Sequence, residues 1–404
     1  MGEILFLAHR MPFPPNRGDK IRSHHLLKAL VGLGPVHVGT FAETQEDRDH
    51  REELSAIAAS CHVADRKKPL VLAGLQALLS NKPVSLAAFQ DRNLQSWVER
   101  TLAANPIDTI VVFSGQMGQY VPDSFGGRVV IDLCDVDSAK FEAYAEAGQM
   151  AWINGREGRL LAMEEERVAD RADVTTLISE SEADLLRSRV GRPEAGNIRY
   201  FGNGVDTRYF DPEMDLSPPQ FSQDAANIVF TGQMDYAPNV AAVERFAHRI
   251  LPRISAEKSA HFHIVGRAPT DAVRELGKLS NVTVWGGVPD MRPFLAEADA
   301  VVAPLSIARG VQNKVLEAMA MARPVVLTEG AATGIPARDA EHFLIASDDA
   351  AMIEILRNLL DGHLDGAAIG AKAREFVARE MSWEAIYRQV ACIVQPTGEN
   401  CRAA

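Results

Sequence analysis

The chain reads as an α/β protein made of two Rossmann-like parallel sheets, and three observations point there. Short β-branched runs alternate with helical stretches along its whole length. The alternation stops at a Pro/Ser/Asp-rich segment, DPEMDLSPPQFSQD, and restarts at Asn227. At 404 residues the chain is long enough for two or three hydrophobic cores, and 47% hydrophobic with 24% charged residues is ordinary for a globular protein.

In the first half, Ile4–Ala8 reads as a buried strand, HRMPFPPNRGDK as a proline-rich loop and Lys20–Leu33 as a helix. That is how a Rossmann-like unit starts, although the G-x-G-x-x-G fingerprint is absent. Val36–Phe41, helix Asp47–Ser60 and Cys61–Ala64 follow, then two helical stretches between Leu70 and Ala104. Ile107–Phe113 and Arg128–Asp132 are the clearest strands. Ser138–Arg171 reads as one long helical region, Val174–Ile178 as a strand, SESEADLLRSRV as a capped helix and Ile198–Phe201 as the last strand of this half. Strands separated by helices predict a parallel sheet covered on both faces, with ligand chemistry at the carboxyl ends of the strands.

The second half repeats the plan with Asn227–Thr231, a helix opening near Pro238 and Asn239, His261–Val265, Val282–Trp285, Ala300–Ala303, Pro324 with its β-branched run, and His342–Ala346. The stretch ADAVVAPLSIARGVQNKVLEAMAMARPVVLT holds the strongest chemical signal. A loop ending at Gly310 opens onto a helix over Val311–Met321. Such a terminus offers unpaired backbone N–H groups and a partial positive charge to a phosphate. On that helix Val315, Leu316, Met319 and Ala320 form one face, and Lys314, Glu317, Ala318 and Met321 another. Lys314 can neutralise a diphosphate, and the Glu317 carboxylate can accept from the vicinal hydroxyls of a ribose. A surface ion pair at i, i+3 is the plain alternative.

At the first sheet's carboxyl edge, DLCDVDS puts Asp132, Asp135 and Asp137 within six residues. Crowded carboxylates raise one another's pKa, which suits orienting or deprotonating a hydroxyl; an N-cap role for Asp137 or Ser138 is the alternative. The net charge of −12 argues against nucleic acid as a partner. Cys61, Cys134, Cys392 and Cys401 are scattered, without metal-ligand spacing, and read as free thiols of a reducing cytosol. MGEILFLAHR turns polar too soon for a signal peptide, and the apolar Pro69–Leu79 stretch is too short to span a membrane. Packing of that stretch on its own domain is favoured over contact with a membrane surface.

The run from Asp299 to Val326, together with FTGQMDYAPNVAAVERF at Phe230–Phe246 and GNGVDTRYF near Asn203, resembles retaining glycosyltransferases of family 4, of GT-B fold. The stretch IARGVQNKVLEAMAM resembles the subgroup associated with exopolysaccharide and exosortase (PEP-CTERM) loci. The resemblance implies two domains facing each other across a cleft. Residues 1–205 would take the acceptor, 206–226 would be a linker, 227–381 would bind the nucleotide sugar, and a final helix over 382–404 would cross back, anchored by Trp383 and Tyr387.

It further implies transfer of a sugar from a nucleotide-diphosphate sugar, with retention, to an exopolysaccharide or lipid-linked oligosaccharide. The implied setting is cytoplasmic, with a peripheral membrane contact admitted, and neither metal nor cofactor is called for. Glu317 matches the second acid of the family signature, while Arg309 stands where the first acid is expected. Gln233 replaces an arginine, so the positive charge shifts to Lys314, Arg309 and Arg267. Gly18, Gly232, Gly266, Gly310, Val311 and Val288 complete the expected donor side; Asp135 and Asp137 are the acceptor-side candidates. The departure at Arg309 keeps two other readings open, a nucleotide-sugar-binding scaffold without turnover and a GT-B sugar-nucleotide epimerase.

Overall fold

The computed structural model describes residues 2–191, 197–306 and 311–395. The chain divides into two compact units, Met1–Gly202 together with the chain from Tyr387 onward, and Asn203–Ile386. Each contains one parallel sheet.

The first sheet has seven strands: β1 (Glu3–Ala8), β2 (Val36–Ala42), β3 (Ser60–Asp65), β4 (Ile107–Phe113), β5 (Arg128–Cys134), β6 (Val174–Leu177) and β7 (Ile198–Tyr200), in the order β3-β2-β1-β4-β5-β6-β7. Ile4 of β1 pairs in parallel with Val36 on one side and Thr109 on the other, which makes β1 and β4 the point where the order reverses. Strands covered by helices on both faces carry near-continuous apolar runs, and β1 is buried from Ile4 to Ala8. Each fully buried Leu, Ile or Phe here contributes about 1.5–3 kcal/mol.

The second sheet has six strands: β8 (Ala226–Thr231), β9 (Ala260–Val265), β10 (Val282–Gly286), β11 (Ala300–Ala303), β12 (Val325–Thr328) and β13 (Leu344–Ala346), ordered β10-β9-β8-β11-β12-β13. Its reversal lies between β8 and β11, where ligand crevices form in open α/β sheets.

Several elements differ from the sequence reading for local reasons. The helix after β2 starts at Gln45, because Thr44 and Asp47 form a capping box. Leu70–Ala104 is three helices, Leu70–Ser80, Val84–Ala88 and Arg92–Ala104, broken at Pro83 and again where Asp91 caps the last one. The long helical region breaks at Gly148 (φ 75°) and Met150 (φ 40°) into Asp137–Glu146 and Ala151–Arg171.

An Asn-Gly pair readily supplies a positive φ, but neither Asn203 nor Gly204 is among the left-handed positions. Gly204 is required for close approach instead: a Cβ there would lie 2.7 Å from the backbone nitrogen of Trp383. Trp383, expected to anchor the last helix on the first unit, is buried in the second, where its N–H donates to the Val205 carbonyl at 3.3 Å. The first-unit part of the helix Trp383–Val394 is held by Tyr387, whose hydroxyl lies 2.6 Å from His25 Nδ1, and by Arg128 donating to the Ile393 carbonyl at 2.9 Å.

Candidate functional site

In the second unit, the loops leaving β8 and β9 meet backbone to backbone. The Gly232 N–H donates to the Val265 carbonyl at 3.1 Å, the Gly266 N–H to the Gly286 carbonyl at 2.8 Å, and the Met234 N–H to the Arg267 carbonyl at 2.9 Å. Gly232 (φ 153°) and Gly266 (φ 156°) adopt backbone conformations that side chains disfavour, and a Cβ on Gly266 would lie 1.6 Å from the Gly232 carbonyl oxygen. A Cβ on Gly232 would meet Asn239 Nδ2 at 2.9 Å and Lys314 Nζ at 3.1 Å. The two glycines therefore allow the loops leaving β8 and β9 to pack backbone to backbone, with the Lys314 ammonium beside Gly232 at the carboxyl end of β8.

Lys314 comes from the other side of the strand-order reversal, in the first turn of the helix Asn313–Ala320 after β11. Its Nζ donates to Asn239 Oδ1 at 2.5 Å and sits 4.4 Å from the centre of the Phe230 ring, a cation–π contact. Asn239 Nδ2 donates to the Gln233 carbonyl at 2.9 Å, which fixes the amide that receives the ammonium. Arg267 reaches the Gln233 side chain at 3.3 Å, and both are exposed at the rim.

Glu317 follows one turn later on the same helix, whose remaining side chains from Val315 to Ala320 are buried. Burial pushes its carboxyl up to about 7, opposed by the Lys314 charge, and burial lowers the Lys314 ammonium to about 8, opposed by Glu317. Ala318 and Met321, placed by the sequence reading on the open face with these two, are fully buried. Lys314 and Glu317 form no direct ion pair among the described residues, so the surface-pair alternative does not describe them. Two opposite charges held half-desolvated and unmatched are a pattern of ligand sites.

The expected phosphate-facing amides need correction. The helix begins at Asn313, not Val311, and Val311 packs beside Gly334, where a Cβ would meet its Cγ2 at 3.0 Å. The amides that the helix's own carbonyls leave open are those of its first turn, around Asn313 and Lys314. Arg309 and Gly310 lie outside the described residues. Val288 is half-buried just after β10, next to Gly287, which faces Arg267. Directly after β12 comes a short helix, Glu329–Ala332.

In the first unit, Asp132 is committed elsewhere. It is buried and bonded to the buried Arg22 guanidinium at 2.8 and 3.1 Å, and Arg22 in turn lies over the Phe201 ring at 3.9 Å. Asp135 and Asp137 line one small cavity with Gln116, Glu164 and Glu165. Desolvation raises both carboxyls, with Glu182 and Asp137 adding to it for Asp135, while Lys140 and His9 oppose it for Asp137. Neither caps a helix with its side chain: the helix Asp137–Glu146 starts after Val136, and the Ser138 N–H donates to Glu165 at 2.9 Å. Gly18 is the first residue of the helix Gly18–Val31 after β1, with open space where a Cβ would sit. Its neighbour Asp19 is held by Arg10 at 2.7 Å and Arg17 at 2.8 Å.

The residues that sequence reasoning missed act through packing. Asn239 and Phe230 hold Lys314; Thr231, at the end of β8, has a buried hydroxyl without a partner. Glu165 is pushed up to about 7 by burial inside the acidic cavity. An amide in the first turn of the helix after β8 was the available signal for Asn239; a glutamate in the solvated-looking run EEE gave none for Glu165.

Residues 225–362 match the family described as Glycosyl transferases group 1. Over nearly its whole length the chain also aligns with solved structures. Sucrose-phosphate synthase from Thermosynechococcus elongatus aligns with TM-score 0.64 and 18% identity, covering 98% of this chain and 99% of that one. Anabaena HepE, solved in complex with UDP and glucose, gives TM-score 0.62 and 16% identity over 97% and 98%. WaaG, a glycosyltransferase involved in lipopolysaccharide biosynthesis, gives 0.59 and 18% over 98% and 100%. The fold class is thus GT-B, and residues 225–362 are similar to the group 1 glycosyl transferases.

Among characterised proteins, the GDP-mannose-dependent monoacylated alpha-(1-6)-phosphatidylinositol monomannoside mannosyltransferase of Corynebacterium glutamicum is 28% identical over 257 residues. That match spans 57% of this chain and 64% of the relative's length.

Proposed function

We propose that the protein is a metal-independent, retaining glycosyltransferase of family 4. It moves a hexose from a nucleotide-diphosphate sugar to an exopolysaccharide or lipid-linked oligosaccharide acceptor in the cytoplasm. The observation that carries this reading is Lys314, held by Asn239 and Phe230 with its ammonium beside Gly232 at the carboxyl end of β8, on the strand-order reversal. In this reading the diphosphate lies against Lys314 and the first-turn amides, with Arg267 nearby and Arg309 proposed as a further cation. Charge that builds on the leaving β-phosphate is stabilised by these fixed donors without reorganisation at the moment of reaction. Glu317, ionised, accepts from the ribose hydroxyls. Asp135 and Asp137 serve the acceptor hydroxyl, since raised carboxyls near a cavity suit proton acceptance.

HepE's complexes with UDP support a nucleotide-sugar donor, and the corynebacterial relative's name supports a lipid-linked acceptor. Its name specifies GDP-mannose whereas HepE holds UDP, so both bases belong in the donor test.

The test is a panel of nucleotide sugars screened for thermal stabilisation of the protein, followed by turnover of the stabilising donor with lipid extract as acceptor. Stabilisation by one base series and acceptor-dependent release of nucleoside diphosphate are expected. Donor consumed without acceptor would identify an epimerase, and tight binding without turnover a scaffold; a flat panel would remove the donor site itself.

A further inference from the structure

The helix Leu70–Ser80 packs inside out. Its buried residues are Ala73 and Ala77, both 0% exposed, while Val71, Leu72, Leu75, Leu78 and Leu79 are 75%, 56%, 55%, 53% and 91% exposed. At 3.6 residues per turn these five positions fall within one arc of about 120°. The helix does pack on its own unit, as the sequence reading favoured, but through its small residues. A contiguous aliphatic face of this kind reaches the several hundred Å² at which exposed patches mark interaction sites.

Its surroundings specify the partner. Arg156 donates to the Ala77 carbonyl at 2.9 Å and to the Lys82 carbonyl at 3.4 Å, which ties the helix's carboxyl end to the helix Ala151–Arg171. One turn before Arg156, Trp152 is 72% exposed, with Met150 and Ile153 also exposed. Between Asp65 and Asp91 the chain carries Arg66, Lys67, Lys68 and Lys82 and no acid, within a protein of net charge −12; Arg66 is paired with Glu43, and Lys67 with Asp65 at 2.7 Å in an exposed, readily exchanged ion pair. Lys67, before the aliphatic arc, and Lys82, after it, are both exposed. Apolar face, flanking cations and an interfacial tryptophan together match a helix lying in the plane of a lipid headgroup layer.

We propose that this face docks the protein on an anionic bilayer, with the Val71–Leu79 arc at the acyl boundary and Lys67 and Lys82 at the headgroups. A second copy of the chain fits less well, because a two-fold contact would set the same cations against one another. The proposal stands on the first unit alone and holds whether or not the second unit transfers sugar.

The test is co-sedimentation of the full chain with phosphatidylcholine vesicles with and without phosphatidylglycerol, in the absence of any nucleotide. Binding is expected with the anionic vesicles and at least about tenfold less without them. Leu75→Asp with Leu79→Asp should lower anionic-vesicle binding at least about tenfold, with circular dichroism and melting unchanged because both side chains are exposed. Lys67→Glu with Lys82→Glu should remove the preference for phosphatidylglycerol. Tryptophan emission should shift to the blue on anionic vesicles, and the shift should vanish in Trp152→Phe. Wild-type protein that stays in the supernatant with anionic vesicles overturns the proposal. So does a concentration-dependent dimer that the double aspartate variant dissolves.

Discussion

Replacing Glu317 by glutamine should make the unliganded protein more stable while removing its grip on a nucleotide. The Glu317 carboxyl is raised to about 7 by burial, from 4.5. Between those values the folded protein binds the proton more tightly than the unfolded chain does. This group therefore lowers stability as pH rises from 4.5 through 7, and its penalty is complete above 7.

The rise from 4.5 to about 7, at about 1.36 kcal/mol per tenfold in proton affinity, sets an upper bound of about 3 kcal/mol; solvent reaching the half-buried carboxylate reduces that to about 2 kcal/mol. Glu317→Gln removes the charge at nearly constant volume. Its melting temperature should exceed wild type by about 4–8 °C at pH 8, at roughly 2–4 °C per kcal/mol for a unit of this size, and by little at pH 5. Calorimetry over pH 5–8 reads the difference, with nucleoside diphosphate titrations beside it. A variant less stable than wild type at pH 8, or one that binds nucleoside diphosphate as wild type does, would refute the reasoning that Glu317 is strained for a ligand.

Lys314→Met should weaken nucleoside diphosphate binding by about 10- to 100-fold, the range for a lost charge-assisted hydrogen bond, without loss of fold, as isothermal titration will show. Wild-type affinity should fall below about pH 7, where Glu317 takes up a proton, and above about pH 8, where Lys314 loses one; a flat profile across pH 6–9 contradicts this. Gly266→Ala puts a methyl 1.6 Å from the Gly232 carbonyl and should destabilise by about 3 kcal/mol or more, read by urea unfolding. Arg22→Ala leaves Asp132 buried and unpaired, at a loss of about 3–5 kcal/mol, whereas Asp135→Asn, on an exposed residue, should slow transfer with melting unchanged.

The strand pattern was legible because period and punctuation agree: all thirteen strands were read from apolar runs, and every one pairs in parallel. That Lys314 and Glu317 share one helix was legible, because spacing alone places side chains there. What spacing cannot convey is which residues from distant segments meet them. Asn239 reaches Lys314 across 75 positions, and Gly266 meets Gly232 across a strand and a helix. The Asn203-Gly204 turn shows the same limit: the residue types matched a left-handed turn, yet the backbone of Trp383 decides why glycine is there. The helix Leu70–Ser80 packs on its own unit as its sequence favoured, but only the structure reveals that two alanines take the inner face and leave the aliphatic arc exposed.

The central claim is that a nucleoside diphosphate binds at the carboxyl ends of β8 and β11. A crystal structure of the protein with UDP or GDP tests it most directly. The account predicts phosphate density within hydrogen-bonding reach of Lys314 and the ribose hydroxyls on Glu317; a nucleotide bound elsewhere, with both side chains untouched, would contradict it.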